Sequence, residues 1–208
     1  MIVADSEKYF DLARLAEAEH CYRNSLQLLG SLTRLRIRQA PGPEARAALS
    51  YVAEMIDVLS DLHRSNSSSE PGDIADRLTL VCRRWQRLCA DNVSILLEAE
   101  RGVPLDPKDA TIASLIAQEF VVNAIKHAFP DHRKGTVIVR FSKRCGRLAV
   151  LEVLDDGVGL TEPSPRAGPR DPNRGASLVD MFSGSLRGTV TKDPCAGKGL
   201  AVRVSWPI

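Results

Sequence analysis

Gln118-Glu119-Phe120-Val121-Val122-Asn123-Ala124-Ile125-Lys126-His127-Ala128-Phe129 is the stretch whose reading decides the fold. Helical spacing places Glu119, Asn123 and Lys126 at i, i+4 and i+7, on one face. Ala117, Val121, Ala124 and Ala128 form an apolar stripe on another face, beside Phe120 and Ile125. A carboxylate, a carboxamide and an ammonium stacked over two turns suit a magnesium ion and a polyphosphate. Magnesium takes few protein oxygens and leaves its other positions to water and phosphate, while lysine acts as a point charge toward phosphate. Taken alone, the same pattern also describes an amphipathic helix with a solvated polar face.

The second informative stretch is Val150 to Leu160, V-L-E-V-L-D-D-G-V-G-L, an apolar strand run that ends in acid and two glycines. A strand stopping at Asp155-Asp156-Gly157 presents a carboxylate at its tip. Glycines behind it permit positive φ and close backbone approach to a ligand. Asp155 can accept a hydrogen bond from an exocyclic amine such as that of adenine. A lone Asp-x-Gly-x-Gly marks only a turn; following E-x-x-x-N-A-x-K-H, with a strand pair between them, it says more. Together these residues resemble the ATP-binding domain of bacterial histidine kinases, in the GHKL superfamily. Glu119 to His127 matches the N box of that family and Asp155 to Gly159 its first glycine box.

The resemblance implies ATP and Mg2+ as cofactors. It implies that Asn123 holds the metal, that Glu119 orients or deprotonates the attacking group, and that Asp155, with Gly157 and Gly159, reads adenine. Lys126 and Gly175 then lie near the phosphates, and His127 shapes the nucleotide site. Thr161 to Asn173 is rich in Pro, Gly and Arg and lacks apolar periodicity, which in the family corresponds to a lid over the triphosphate. Arg166, Arg170 and Arg174 are phosphate-holding candidates there, although arginines in a loop are commonly just solvated. The second glycine box is reduced to Asn173-Arg174-Gly175-Ala176-Ser177-Leu178-Val179. The last survives as Gly197-x-Gly199, with Leu200 where the family usually has Thr.

Composition sets the outer limits. At 208 residues, 44% apolar and 26% charged, the chain is ordinary for a globular protein with a substantial core. A formal charge of +2 gives no argument for nucleic acid as a partner. No apolar run approaches the roughly eighteen residues of a membrane span. Met1 to Asp11 lacks the basic and apolar regions of a signal peptide, so a cytoplasmic location is expected. Cys21, Cys82, Cys89, Cys145 and Cys195 include no C-x-x-C pair and read as free thiols rather than a metal site or disulfide.

Asp5 to Gln39 has helical periodicity, with Leu12, Leu15, Tyr22, Leu26 and Leu29 on one stripe that Leu28, Leu32 and Leu35 broaden. His20, Asn24, Gln27, Ser31 and Arg34 fall on a polar face. Pro41-Gly42-Pro43 ends this helix, and Glu44 to His63 forms a second, with Leu49, Val52, Ile56 and Leu59 at helical spacing. One helical hairpin cannot bury so broad a stripe. A second copy completes a four-helix bundle, so a homodimer through this hairpin is expected.

Within the hairpin, Glu19-His20-Cys21-Tyr22-Arg23-Asn24-Ser25-Leu26-Gln27 resembles the H-R-x-K-N-x-L-Q phosphoacceptor helix of a histidine-kinase subgroup related to the HWE kinases. The later Pro43-Glu44-Ala45-Arg46-Ala47-Ala48-Leu49 also fits, and Cys21 stands where the subgroup usually has Arg. By this resemblance His20 receives phosphate and passes it to the aspartate of a response-regulator receiver domain. An imidazole is largely neutral at cytosolic pH and attacks phosphorus in line through a ring nitrogen. His63 and His132 have weaker claims.

Ser65 to Gly72, a polar run, divides the chain into a hairpin over 1–66 and an ATP-binding domain over 73–208. The domain is expected to order itself as a helix over Ile74–Ala90, a strand over Val93–Ala99 and the organising helix over Pro107–Phe129. A strand pair, Thr136–Ser142 and Leu148–Leu154, a helix over Leu178–Leu186, and strands Gly188–Thr191 and Leu200–Trp206 follow. The fold class is α+β: a hairpin forming a dimeric four-helix bundle, then a GHKL α/β sandwich. The functional expectation is a sensorless cytosolic histidine kinase that autophosphorylates His20 from Mg-ATP. The alternatives are a histidine phosphotransferase carrying a non-catalytic ATP domain, and a regulator whose GHKL domain serves only as a binding surface.

Overall fold

Proline and glycine at 41–43 interrupt helical propensity, and the chain obeys: helix α1 spans Ile2–Gln39 and helix α2 Pro43–Asn66. The structure, a computed structural model, describes residues 2–66, 73–89, 91–144, 147–159, 178–195 and 199–208. It divides into two compact units, Met1–Ser67 and Ser68–Ile208.

In the first unit α1 and α2 pack as a hairpin, with Leu26, Ala53 and Val58 buried. The Arg34 guanidinium donates to Asp57 Oδ1 at 2.6 Å and ties the helices together. The leucine stripe is not covered by the hairpin. Leu28 is 61% exposed, and Leu29, Leu32, Leu35, Val52 and Tyr22 are also exposed. The side chains of Leu12 and Leu15 lie outside the described residues.

The second unit begins at helix α3, Ile74–Leu88, whose Asp73 cap accepts from the Ala75 N–H at 3.0 Å and, through its other oxygen, from the Gly102 N–H at 2.9 Å. Strand β1, Val93–Ala99, leads into α4, Pro107–His127, the organising helix. Asp106 caps α4 by accepting from the Lys108 N–H at 2.8 Å, and Pro107 occupies the first turn, where a missing N–H does no harm. Strands β2, Gly135–Arg144, and β3, Leu148–Asp155, form a hairpin. Helix α5, Leu178–Ser185, and strands β4, Thr189–Pro194, and β5, Leu200–Pro207, complete the unit.

The sheet order is β1-β2-β3-β5-β4, with β1 parallel to β2 and the other pairs antiparallel. Alternation sends Val137, Val139, Phe141, Leu151, Val204 and Trp206 into the core. There they meet Ile116, Phe120 and Val121 of α4 and Ile74 and Leu78 of α3. Charged residues of the intervening positions form a continuous row across all five strands. Arg140 donates to Glu98 at 2.6 Å and lies 3.9 Å from Glu152. Arg203 bonds Glu152 at 2.5 Å and lies 3.8 Å from Asp193.

The expected strands and helices are present, β1 with the expected ends and the others with ends no more than three residues away. Helix α3 stops at Leu88 because the next residue, Cys89, turns extended. Cys21, Cys82, Cys89 and Cys195 are free thiols, and burial pushes the Cys82 thiol up to about 12. Cys145 lies outside the described residues.

Candidate functional site

The polar face of α4 is not uniformly wet. Asn123, Lys126 and His127 are exposed, whereas Glu119 is only 8% exposed and its Oε1 has no hydrogen-bond partner. Burial pushes the Glu119 carboxyl above its ordinary range, and the Lys126 ammonium pulls it partly back. An orphaned buried carboxylate oxygen is costly, and helical spacing alone does not require one. It sits one turn below an exposed carboxamide.

At the end of β3, Asp155 is 9% exposed. Its Oδ1 accepts from the Gly157 N–H at 2.9 Å. Burial raises its carboxyl, the N–H groups of Gly157 and Leu200 lower it, and the neighbouring Asp156 raises it again. Asp156 does different work: its Oδ1 accepts from the Thr136 N–H at 2.7 Å and its carbonyl accepts from Arg133 at 3.0 Å. It therefore clamps the β2 start to the turn after β3.

The glycine turn is fastened directly to the end of α4. The Val158 N–H donates to the Ala128 carbonyl at 3.0 Å, and a Cβ on Gly157 would run into Ala128 Cβ and its carbonyl oxygen. This contact is why the position takes glycine. Gly199, at φ +106, lies so close to Asp155 that a Cβ would strike the Asp155 carbonyl oxygen, and Gly159, at φ +75, sits against Gly199 backbone. Backbone atoms from α4, the β3 turn and the residue before β5 thus converge without side chains between them.

The structure fastens the Asp155–Gly159 turn to Ala128 at the end of α4, and it leaves Asn123, Lys126 and His127 exposed in the last two turns of that helix, with Glu119 buried one turn further back. Gly175 and the loop arginines 166, 170 and 174 lie outside the described residues, as does Gly197. Sequence reasoning left out of the site Ala128, which receives the glycine turn, and the Asp156–Thr136–Arg133 clamp. The doubled acid of Asp155-Asp156 was the available signal for the clamp; Arg133 had none. On the hairpin, His20 is exposed, and the Asn24 amide nitrogen lies 3.3 Å from its Nδ1.

These residues fit a nucleotide with magnesium. A buried carboxylate edge, an exposed carboxamide one turn on, and a buried strand-tip carboxylate followed by a glycine turn are the features such a ligand uses. Among the described residues no group of three or more His, Cys, Asp or Glu can hold a metal on its own. A magnesium ion here would take most of its ligands from phosphate and water. Among the described residues no helix is long and apolar enough to cross a membrane.

Comparison with known proteins agrees with this geometry. The family model described as histidine kinase-like ATPase domain matches residues 88–204. The sensor histidine kinase PdtaS of Mycobacterium tuberculosis is 27% identical over 203 residues, covering 94% of this chain and 40% of PdtaS. Blue-light-activated histidine kinase 2 of Erythrobacter litoralis is 24% identical, covering 94% of this chain and 57% of that protein. The chain thus spans about half the length of these relatives. Among solved structures, the Erythrobacter litoralis EL346 blue-light activated histidine kinase superposes with a TM-score of 0.67 at 18% identity, over 88% of this chain and 59% of that one. Full-length ShkA in complex with AMPPNP gives 0.53 at 20% identity, over 93% and 45%. Helix α4 and the glycine turn after β3 lie within the matched region, and the chain is a member of the histidine kinase-like ATPase domain family.

Proposed function

We propose that this chain acts in two-component signalling as a histidine kinase: it binds Mg-ATP, phosphorylates His20 and passes the phosphoryl group to the aspartate of a response-regulator receiver domain. The observation that carries the reading is the orphaned, buried Glu119 Oε1 one turn from exposed Asn123 on the helix whose end receives the Asp155–Gly159 turn. The name of the ShkA structure, which includes the ATP analogue AMPPNP, supports the choice of nucleotide. Asp155 accepts from the adenine amine, and the close packing of Gly157, Gly159 and Gly199 around it holds that carboxylate at the strand tip. Magnesium bound at the Asn123 carboxamide would neutralise phosphate charge, with Lys126 and His127 alongside.

His20 is the phosphoacceptor of the HWE-related pattern. The Asn24 carboxamide beside Nδ1, turned to present its oxygen to an Nδ1–H, favours the tautomer whose Nε2 lone pair is free. That lone pair attacks the terminal phosphorus, forming the N–P bond as the bond from phosphorus to the β-phosphate oxygen breaks. ADP leaves and Glu119 takes the proton. A carboxylate raised by burial is better matched to that task than an ordinary one. The exposed leucine stripe of residues 1–66 pairs with a second copy in a four-helix bundle, and the protein works in the cytoplasm, with 73–208 as the ATP-binding domain.

The test is incubation with ATP labelled at the terminal phosphate, with and without a receiver domain. Wild-type protein is expected to take up acid-labile label that moves to the receiver, and His20→Ala to take up none. Full labelling of His20→Ala would overturn the acceptor assignment. ATP binding absent at millimolar nucleotide would leave only histidine phosphotransfer.

A further inference from the structure

Strand β1 is an end strand of the sheet, and its outer edge is only partly closed. The Gly135 N–H donates to the Asn92 carbonyl at 3.0 Å, so the backbone groups of alternate residues face β2. Those of Val93, Ile95, Leu97 and Ala99 face away. At the start of the strand, Gln86 of α3 fills this edge. Its Nε2 donates to the Val93 carbonyl at 3.0 Å, and its Oε1 accepts from the Ile95 N–H at 2.6 Å. A carboxamide bonded to a carbonyl and to the N–H two residues on makes the same pair of bonds as one residue of a parallel neighbouring strand. Beyond Ile95 no described strand continues the pairing, and the edge groups of Leu97 and Ala99 stay open.

Beside this open edge runs a groove of about 440 Å³ between α3 and β1. Cys82, Ile95, Leu97 and Ala99 give it an apolar floor, and Arg83 and Arg101 stand at its sides. Among the described residues no acidic side chain lines it. Arg101 pairs with Asp76 at 3.0 Å, but both are largely exposed, so that pair is weak and exchangeable. The groove lies two strands from Asp155.

We infer that the β1 edge and its groove take an extended acidic peptide segment of a partner protein by strand addition. The open Leu97 and Ala99 groups supply main-chain bonds, alternate apolar side chains enter the groove, and acidic residues meet Arg83 and Arg101. A second copy of this chain is a poorer occupant. Pairing two β1 edges would bring like-charged arginine rims together, and the only acid of β1, Glu98, is already held by Arg140. The inference does not depend on the kinase reading.

The test uses the whole chain and a fluorescent, end-capped heptapeptide alternating Glu and Val, compared with its Lys-for-Glu counterpart and with a version N-methylated at alternate amides. The acidic peptide is expected to bind at submillimolar concentration and to slow hydrogen exchange at the Leu97 and Ala99 amides. The lysine and N-methylated peptides should bind at least about tenfold more weakly, as should the acidic peptide to the Arg83→Glu/Arg101→Glu variant. Binding absent up to millimolar peptide, equal binding of the lysine peptide, or unchanged exchange at Leu97 and Ala99 would overturn the inference. So would protection of those amides that appears without peptide and grows with protein concentration, which would make the occupant a second copy.

Discussion

Replacing Glu119 by glutamine separates what this residue does for the fold from what it does for chemistry. In the folded protein its carboxyl is raised because burial disfavours the charged form. A group raised in this way binds its proton more tightly folded than unfolded. Stability therefore falls as pH climbs from the unfolded value through the folded one, and stays lowered above it. The Glu119→Gln variant has no charge to bury at this position. Below the ordinary carboxylate range, where Glu119 is neutral in both states, the variant should gain little. At neutral pH it should be more stable by about 1 kcal/mol, the lower end of the penalty for a buried unsatisfied polar group, since Lys126 offsets part of it. For a unit of this size that is about 2–4 °C in Tm. Thermal unfolding of nucleotide-free protein at acidic and neutral pH measures the difference, and phosphoryl transfer to His20 should be lost in the same variant. A variant less stable than wild type at neutral pH, or an advantage that does not change with pH, would refute the reasoning.

Gly157→Ala should lower stability by about 2–4 kcal/mol in denaturant titration, because its Cβ has no room against Ala128 and the backbone there is hydrogen-bonded. Asn123→Ala, at an exposed position, should leave stability within about 0.5 kcal/mol yet lose magnesium-dependent ATP binding in calorimetry. ATP affinity should rise with pH through the upward-shifted ionisation of Asp155, since only its ionised form accepts freely from the adenine amine; Asp155→Asn should flatten that dependence. Leu29→Glu with Leu32→Glu, both half exposed in the hairpin, should convert a dimer to monomers by light scattering, while Thr136→Ser should not.

Elements whose signal is local were legible in the sequence. The period of α4, the Pro41–Pro43 break and the turn at Asp155-Asp156-Gly157 each depend on residues a few positions apart, and all appear close to where they were expected. What could not be read was depth. Glu119 and Asn123 share one helical face by spacing, yet one is buried and the other exposed, because the neighbouring layer covers only the first. The fit of Gly199 against Asp155 joins residues more than forty apart, and no local pattern announces it. Gly157 was expected to be glycine for its conformational freedom. In the structure the reason is the passage of Ala128, a steric demand from another element.

The charged row across the sheet also settles a question that hydrophobic alternation leaves open. Because side chains repeat every second residue, sliding β2 by two positions against β3 keeps every apolar residue facing inward. Such a slip would set Arg140 opposite Val150 or Leu154 instead of Glu152, and the largely buried Glu152 would lose that neighbour. The same holds on the other side, where Arg203 meets Glu152 only in the observed pairing. Glu98, Arg140, Glu152 and Arg203 thus act as a tally mark drawn across neighbouring strands. They distinguish the native alignment from its two-residue neighbours, and the position of Asp155 at the strand tip depends on that alignment.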